Sequence, residues 1–225
     1  ATVTYLFAGS MLHRDSLGSV QEIFPGDVNW MIAGNGIVHS ERETHEVRAT
    51  EHPLHGLQLW VALPPDHERI DPDFLHVNKN DLPCIYRPGL MMRLIVGAAY
   101  GRSSPVRTFS PMFYLDVLAD KGSQLEHPAR DQEAAICIIS GALEISGKRY
   151  EKGDFVLLDS DDTSFTALEN CRYVIIGGKR FERIPHIHWN FVAYERATID
   201  EARQRWDAGE FPAIPGDDEE HIPLP

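Results

Sequence analysis

The sequence has few cysteines, no run of more than two basic residues and no long apolar stretch. Its three cysteines, Cys84, Cys137 and Cys171, are far apart and form no Cys-x-x-Cys motif, which favours buried thiols in a reducing compartment over a disulfide framework. An acidic surplus gives a net charge of -13, which disfavours direct binding to nucleic-acid phosphates. No segment approaches the ~20 consecutive apolar residues that a membrane-spanning helix needs.

The distribution of apolar residues is typical of an all-β protein. Short runs of β-branched, aromatic and aliphatic residues alternate with turns rich in Gly, Pro and Asp. Several runs are apolar at every position, which indicates strands that are buried on both faces. The clearest strands are predicted at residues 2–8, 28–33, 55–63, 112–117, 134–139 and 173–177.

One helix is predicted near the end of the chain. Thr198 and Glu201 have the spacing of a capping box, with Thr198 as the N-cap. The apolar face that follows comprises Ile199, Ala202 and Trp206. Gly209 is expected to end the helix because glycine readily adopts the left-handed conformation found there. The acidic stretch at residues 217–220 is expected to be a solvated extension.

A loose internal repeat indicates that the chain has two halves. Pro25-Gly26-Asp27 precedes an apolar strand in the first half, and Lys152-Gly153-Asp154 precedes another in the second. Between them, residues 97–111 are rich in Gly, Ser and Pro, as connections between domains often are. We therefore predict two domains, at residues 1–104 and 105–225.

The most informative chemical pattern is His39-Ser40-Glu41, which follows the glycine-rich segment at residues 34–36. Alternate side chains on a strand point to the same face, so the His39 imidazole and the Glu41 carboxylate are expected to lie side by side. This pair of donors suits iron, manganese, nickel or zinc. Two donors do not complete a coordination shell, and the spacing alone also fits a surface histidine and glutamate.

Four segments of the first half together resemble the N-terminal barrel of the pirin family: residues 1–9, 26–31, 34–41 and 55–61. The run from Gly36 to Glu41 is the most specific part, and the resemblance extends weakly to the second half through residues 127–130 and Gly141. Pirins are bicupins, so the resemblance implies two antiparallel, jelly-roll cupin barrels in tandem and a short C-terminal helix. The N-terminal barrel would comprise residues 1–104 and lack its first strands, and the C-terminal barrel would comprise residues 105–225.

In the pirin family the N-terminal barrel holds one metal ion, usually iron, through three histidines and one glutamate. The resemblance implies that His39 and Glu41 are two of these ligands and that Glu41 also acts as a catalytic base. The other two histidines would lie upstream of Ala1. We therefore expect the natural chain to be longer, and metal binding by residues 1–225 to be weak or absent. Iron is the expected metal, with manganese, nickel, copper and zinc as alternatives.

The remaining candidates have weaker signals. His55 precedes an apolar strand and is a candidate for the wall of a substrate pocket, with a structural role as the alternative. His13 is expected to bond a neighbouring turn. In the second half, Thr166 and Leu168 stand where the repeat would place the two metal ligands. Neither is a good ligand, so a single metal site is expected.

The resemblance implies two classes of function that use the same residues. The first is an oxidoreductase of the quercetin 2,3-dioxygenase type, which uses O2 to open the ring of a flavonoid or another small aromatic substrate and releases carbon monoxide. The alternative is a non-enzymatic, redox-sensing module that binds a protein partner. A third interpretation is a structural bicupin with a vestigial site. The chain is expected to be a cytoplasmic monomer or dimer that binds neither nucleic acid nor membranes directly.

Overall fold

The computed structural model describes the whole chain, from Ala1 to Pro225. Strands account for 44% of the residues and helices for 8%, which confirms the mostly-β class expected from the sequence. The residues form two compact units. The first unit comprises Ala1–Lys79 together with Phe181–Pro225, and the second comprises Asn80–Arg180.

The first unit has seven strands in its N-terminal part. In chain order they are β1 (Thr2–Ala8), β2 (Met11–Asp15), β3 (Val20–Ile23), β4 (Val28–Ile32), β5 (His39–Arg42), β6 (His55–Trp60) and β7 (Asp73–Val77). They form a four-stranded sheet in the order β6-β1-β4-β7 and a three-stranded sheet in the order β3-β2-β5. The connections contain a short helix, α1 (His45–Arg48), and a 3-10 turn at Pro65–His67.

Strands β1 and β4 separate an apolar layer from a polar one. Val3, Tyr5 and Trp30 are at most 2% exposed, and the register pairs Val3 with Trp30. The opposite face of the same two strands carries Thr4 and Asn29, which are also buried. Since successive side chains of a strand point to opposite faces, the polar layer lies on the far side of the sheet from Tyr5.

The second unit has eleven strands. In chain order they are β8 (Cys84–Arg87), β9 (Leu90–Ala99), β10 (Arg102–Ser103), β11 (Met112–Ala119), β12 (Gln124–Glu126), β13 (Glu133–Ser140), β14 (Ala142–Ile145), β15 (Lys148–Glu151), β16 (Phe155–Leu157), β17 (Ser164–Ala167) and β18 (Cys171–Gly178). One sheet has the order β10-β9-β11-β18-β13-β16, with β8 paired to β9, and the other has the order β12-β17-β14-β15. Their facing side chains form one apolar core, which includes Leu94, Leu115, Ile136, Leu143, Phe165 and Ile175.

All three cysteines belong to this second unit, and each is a free thiol. Burial raises the pKa of Cys137, and it raises the pKa of Cys171 to about 11. Both thiols are therefore held in the protonated, unreactive form at neutral pH.

The turns predicted to repeat have the same geometry in both units. Gly26 and Gly153 have φ angles of 90° and 95°, which glycine adopts without a Cβ clash. The amides of Asp27 and Asp154 each donate to the carbonyl three residues earlier, at 3.0 Å. Each carboxylate in return accepts the amide of that same residue, at 3.3 and 2.8 Å. These matched hydrogen bonds confirm the repeat at this turn.

The C-terminal part of the first unit contains β19 (His186–His188), β20 (Phe191–Ala193) and the predicted helix, α2 (Arg196–Asp207). The capping-box prediction is wrong, because the helix begins upstream of Thr198 and its N-cap, Glu195, makes no side-chain cap. Thr198 Oγ1 instead accepts a hydrogen bond from Arg69 Nη2 at 2.8 Å. No helix of the chain has the length and apolar character needed to cross a membrane.

The end of α2 is as predicted. Gly209 has a φ of 67°, and its amide donates to the carbonyl of Trp206 at 3.0 Å. The amide of Glu210 donates to the carbonyl of Arg205 at 2.9 Å. This pair of hydrogen bonds is the Schellman arrangement, which satisfies the last carbonyls of a helix.

The predicted boundary after residue 104 differs from the junctions of the compact units, which lie at Lys79–Asn80 and Arg180–Phe181. The reason is that two segments make their contacts with parts of the chain on the other side of the predicted boundary. Strand β9 pairs with β11, so it contributes to the second unit. The C-terminal segment contributes to the first, where the hydroxyl of Tyr194 donates to the carbonyl of Leu63 at 2.9 Å.

Candidate metal centre

The predicted metal ligands lie on β5, an edge strand of the three-stranded sheet. The antiparallel register with β2 places His39 opposite Asp15 and Glu41 opposite His13. Directly paired residues of neighbouring strands point to the same face. Four ionisable side chains therefore share the inner face of these two strands.

His13 and Asp15 form a buried pair beneath the candidate ligands. They are 2% and 0% exposed, and His13 Nε2 lies 3.1 Å from Asp15 Oδ2. Asp15 Oδ1 accepts the amides of Leu17 and Ser19, both at 2.9 Å. Burial alone would raise the pKa of Asp15, but these hydrogen bonds outweigh it and hold the pKa below its usual range. His13 is thus linked to the neighbouring turn indirectly, because it contacts Asp15 and Asp15 accepts the amides of that turn. The sequence does not indicate this role of Asp15.

His39 has the form that a metal ligand requires. Burial lowers its pKa below the usual range, against the opposing effect of the Glu41 carboxylate. The ring stacks on His13, with centroids 5.9 Å apart, and His13 stacks on Phe74 at 4.2 Å. Neither nitrogen of His39 takes part in a hydrogen bond in the structure. A neutral imidazole with an unused lone pair is the state that binds transition metals.

The Glu41 carboxylate is oriented by two residues that lie opposite each other on β1 and β6. Thr4 Oγ1 donates to Oε1 at 3.1 Å, and Gln58 Nε2 donates to Oε2 at 2.6 Å. Gln58 Nε2 also donates to Thr4 Oγ1 at 3.0 Å. Each carboxylate oxygen keeps a second lone pair for another partner.

Thr4 and Gln58 begin a polar row that crosses the four-stranded sheet. The register pairs Gln58 with Thr4, Thr4 with Asn29, and Asn29 with His76. His76 Nδ1 lies 2.7 Å from Asn29 Oδ1. Asn29 is 3% exposed, and its Nδ2 has no hydrogen-bond partner. The sequence offered only one signal for this row, namely polar residues at alternate positions of otherwise apolar strands.

His55 is not brought together with His39 and Glu41. It precedes Gln58 by three positions on β6, and an odd separation places the two side chains on opposite faces of a strand. The exposed ring of His55 lies against Phe7, with centroids 5.0 Å apart. The proposed pocket role of His55 stays a prediction.

The pair on β5 fits two positions of a transition-metal site in donor type, and the lowered pKa of His39 favours the neutral ring that a ligand requires. The structure contains no group of three or more His, Cys, Asp or Glu side chains arranged to hold a metal ion. In the second unit, Thr166 Oγ1 instead accepts a hydrogen bond from Gln124 Nε2 at 3.3 Å. The ring of His127 there lies 6.1 Å from that of Phe113. A single metal site in the first unit stays a prediction.

Two family models match the chain. The Pirin model matches residues 1–61, and the model of the pirin C-terminal cupin domain matches residues 114–212. Among curated proteins, a pirin-like protein of Caulobacter vibrioides is 39% identical over 231 residues, which cover 100% of this chain and 78% of that protein. Pirin of Rattus norvegicus is 33% identical over 212 residues, which cover 89% of this chain and 70% of that protein.

Among solved structures, a crystal structure of quercetin 2,3-dioxygenase from Acinetobacter baumannii matches with a TM-score of 0.90. It is 32% identical in sequence, and the match covers 100% of this chain and 75% of that one. The similarity therefore extends over the residues of both units.

Proposed function

This chain belongs to the pirin family of cupin proteins, and we propose that it is a metal-dependent oxidoreductase of the quercetin 2,3-dioxygenase type. The observation that carries the proposal is the inner face of β5, where a neutral His39 with an unused lone pair stands beside a Glu41 carboxylate held by two hydrogen bonds. The similarity to the Acinetobacter baumannii enzyme supports the reaction class.

We also propose that each unit is one cupin barrel. In the first unit the barrel would combine the four-stranded and the three-stranded sheet, and in the second the two larger sheets. The repeated Gly-Asp turn supports two copies of one architecture, and so does the match of residues 114–212, which include most of the second unit, to the pirin C-terminal cupin domain.

The proposed metal is a single iron ion, for which manganese, nickel, copper or zinc would use the same donors. His39 and Glu41 would supply two ligands. The pair would occupy only part of a coordination shell, because the structure brings no third His, Cys, Asp or Glu into a metal-holding arrangement with it. When bound, the metal would supply a Lewis-acidic, redox-capable centre for a flavonoid oxygen and for O2.

The chain's own residues would prepare the substrate. Glu41 would accept the proton of the flavonol hydroxyl group, which leaves the more reactive flavonolate. Gln58 and Thr4 would keep the carboxylate in one orientation, so that one lone pair faces the substrate proton. Phe74 and His13, stacked at 4.2 Å, would exclude water from the side of His39 that faces the core.

An assay of flavonol consumption tests this function. The protein as its gene encodes it, loaded with iron(II), is mixed with quercetin in the presence and absence of O2, and the flavonol absorbance is followed together with carbon monoxide release. We expect loss of the absorbance only with both metal and O2, and a strong reduction in Glu41→Gln. No metal-dependent loss of absorbance would contradict the enzymatic function. A metal-loaded protein that leaves quercetin intact would favour the redox-sensing alternative.

A further inference from the structure

The segment that follows α2 is bonded to the strand that carries His39 and Glu41. We call residues 209–222 the C-terminal strap. Strand β5 has a backbone partner only on one side, where it pairs with β2. Ser40 and Arg42 alternate with the two candidate ligands, so they point to the opposite, outer face of the strand.

Asp217 of the strap contacts both outer residues of β5. Its Oδ2 accepts a hydrogen bond from Ser40 Oγ at 2.6 Å and another from Arg42 Nε at 2.7 Å. The Asp217 side chain is only 14% exposed, whereas Glu220, which accepts from Arg42 Nη1 at 2.9 Å, is 77% exposed. Hydrogen bonds from Arg42 and Ser40 hold the pKa of Asp217 below its usual range. Asp217 is therefore a partly buried anchor and Glu220 a solvated contact. The sequence had indicated a solvated extension here, so that prediction is wrong for Asp217.

A second contact lies just before β5, at the glycine-rich segment. Gly36 has a φ of 127°, and a Cβ there would meet the ring of Phe211 at 2.7 Å. Phe211 stacks on Phe191 and packs edge-on against Trp206. Trp206 Nε1 donates to the carbonyl of Ile222 at 3.0 Å, which closes the far end of the strap. The strap thus contacts both the turn that leads into β5 and the strand itself.

From these contacts we propose that the C-terminal strap positions the metal-ligand strand, and that Asp217 is its positioning residue. The inference rests on the proposed function for its effect on metal retention, but not for its effect on β5. One carboxylate bridges the two residues that flank Glu41, so it fixes the strand from the face that the metal does not occupy. An edge strand of four residues with a single ladder has few backbone hydrogen bonds of its own. Side-chain anchors on both faces therefore decide how far His39 and Glu41 can move.

Asp217→Asn tests the proposal, with Glu220→Gln as the matched control. Both changes remove one negative charge from the strap and both affect a contact of Arg42, but only the first affects the partly buried anchor. The amide exchange of residues 39–42 and the release of iron(II) to a chelator are measured on the protein as its gene encodes it. In Asp217→Asn we expect both rates to rise about tenfold, as for the loss of one charge-assisted hydrogen bond. In Glu220→Gln both rates should stay close to those of the unsubstituted protein, because exposed ion pairs contribute little.

The two readouts separate this proposal from the proposed function. If amide exchange of β5 is unchanged in Asp217→Asn, the proposal that the strap positions β5 is wrong, regardless of the rate of iron release. If amide exchange of β5 becomes faster but iron release is unchanged, the strap has no role in metal retention. If the unsubstituted protein held no metal, the proposed function would fail, while faster exchange in Asp217→Asn would still support the hold of the strap on β5.

Discussion

Gln58 donates a hydrogen bond from Nε2 to Oε2 of Glu41 at 2.6 Å, although the two residues lie on strands of different sheets. The same nitrogen donates to Thr4, which donates to the other oxygen of the carboxylate. The proposed catalytic base is therefore oriented by residues of the opposite sheet rather than by its neighbours in sequence.

Gln58→Leu should impair catalysis far more than folding. Gln58 is an exposed residue, so the free energy of unfolding should change by only about 0.5 kcal/mol, as for most surface substitutions. Loss of the donor to Glu41 should lower kcat for flavonol by about tenfold with little change in KM, because orientation and not substrate affinity is lost. Steady-state kinetics and urea denaturation check the two effects.

Gln124→Leu is the matched control for this prediction. Gln124 makes the same kind of contact in the second unit, where its amide donates to Thr166 Oγ1 at 3.3 Å. It should leave kcat unchanged. Equal losses of activity in the two variants would argue against a role of Gln58 at the carboxylate.

Asp15→Ala should strongly destabilise the fold. It removes a fully buried carboxylate that accepts two amides and contacts His13. We expect a loss of about 3 kcal/mol or more in the free energy of unfolding, as when one partner of a buried charged network is removed. Asp161→Ala, at an exposed loop position, is the control and should change stability little. Similar midpoints of urea denaturation for both variants would contradict the importance of the buried pair.

The stability of the metal-free protein should depend on pH through His39. Its pKa is lower in the folded state than the ordinary value of 6.5, so the unfolded chain binds a proton at His39 more readily than the folded chain does. The contribution of His39 to the free energy of unfolding is therefore fully present above pH 6.5. It is lost as the pH falls from 6.5 towards the folded-state pKa. His39→Gln should lose less stability between pH 7 and pH 5 than the unsubstituted protein. His127, whose pKa is also lowered by burial, is present in both proteins, so the difference isolates His39. Identical pH profiles would contradict the burial of His39 as a neutral ring.

The face of β5 could be predicted from sequence because alternation is a local property of a strand. His39 and Glu41 were placed on one side, and the structure has them there. Their contacts could not be predicted, because Thr4 and Gln58 lie 37 and 17 residues from Glu41 in the chain. Such contacts depend on the register and packing of two sheets, which no local pattern specifies.

The errors have the same physical origin. The start of α2 was misplaced because Thr198 bonds Arg69, which lies 129 residues away. Asp217 lies 177 residues from Ser40, so composition favoured a solvated tail where the fold supplies a partner. The predicted boundary after residue 104 is a separate case, because it follows the glycine- and serine-rich composition of the connection and stays a prediction. The compact units have other junctions because of the long-range pairing of β9.

Gly34→Ala should disturb the turn that leads into β5. Gly34 has a φ of 49°, and a Cβ there would lie 1.9 Å from the carbonyl oxygen of Ile70. Backbone must move to relieve this contact, so we expect a loss of about 3 kcal/mol, near the top of the usual range for single substitutions. Gly18→Ala is the matched control, because Gly18 has a φ of 89° but no atom within 4 Å of its Cβ position. It should cost only about 1 kcal/mol for the left-handed backbone. Equal losses would show that the close approach to Ile70 has no effect.

The metal content of purified protein tests the central claim most directly, namely that His39 and Glu41 hold the metal. Elemental analysis of the protein as its gene encodes it should give one metal ion per chain. His39→Ala and Glu41→Ala should each retain less than about a tenth of that amount, because even the loss of an outer-shell partner of a ligand costs about tenfold or more in metal affinity. His188→Ala, which removes a histidine of β19 outside the site, should retain it all. Full metal occupancy in His39→Ala, or two tightly held ions in the unsubstituted protein, would contradict the account.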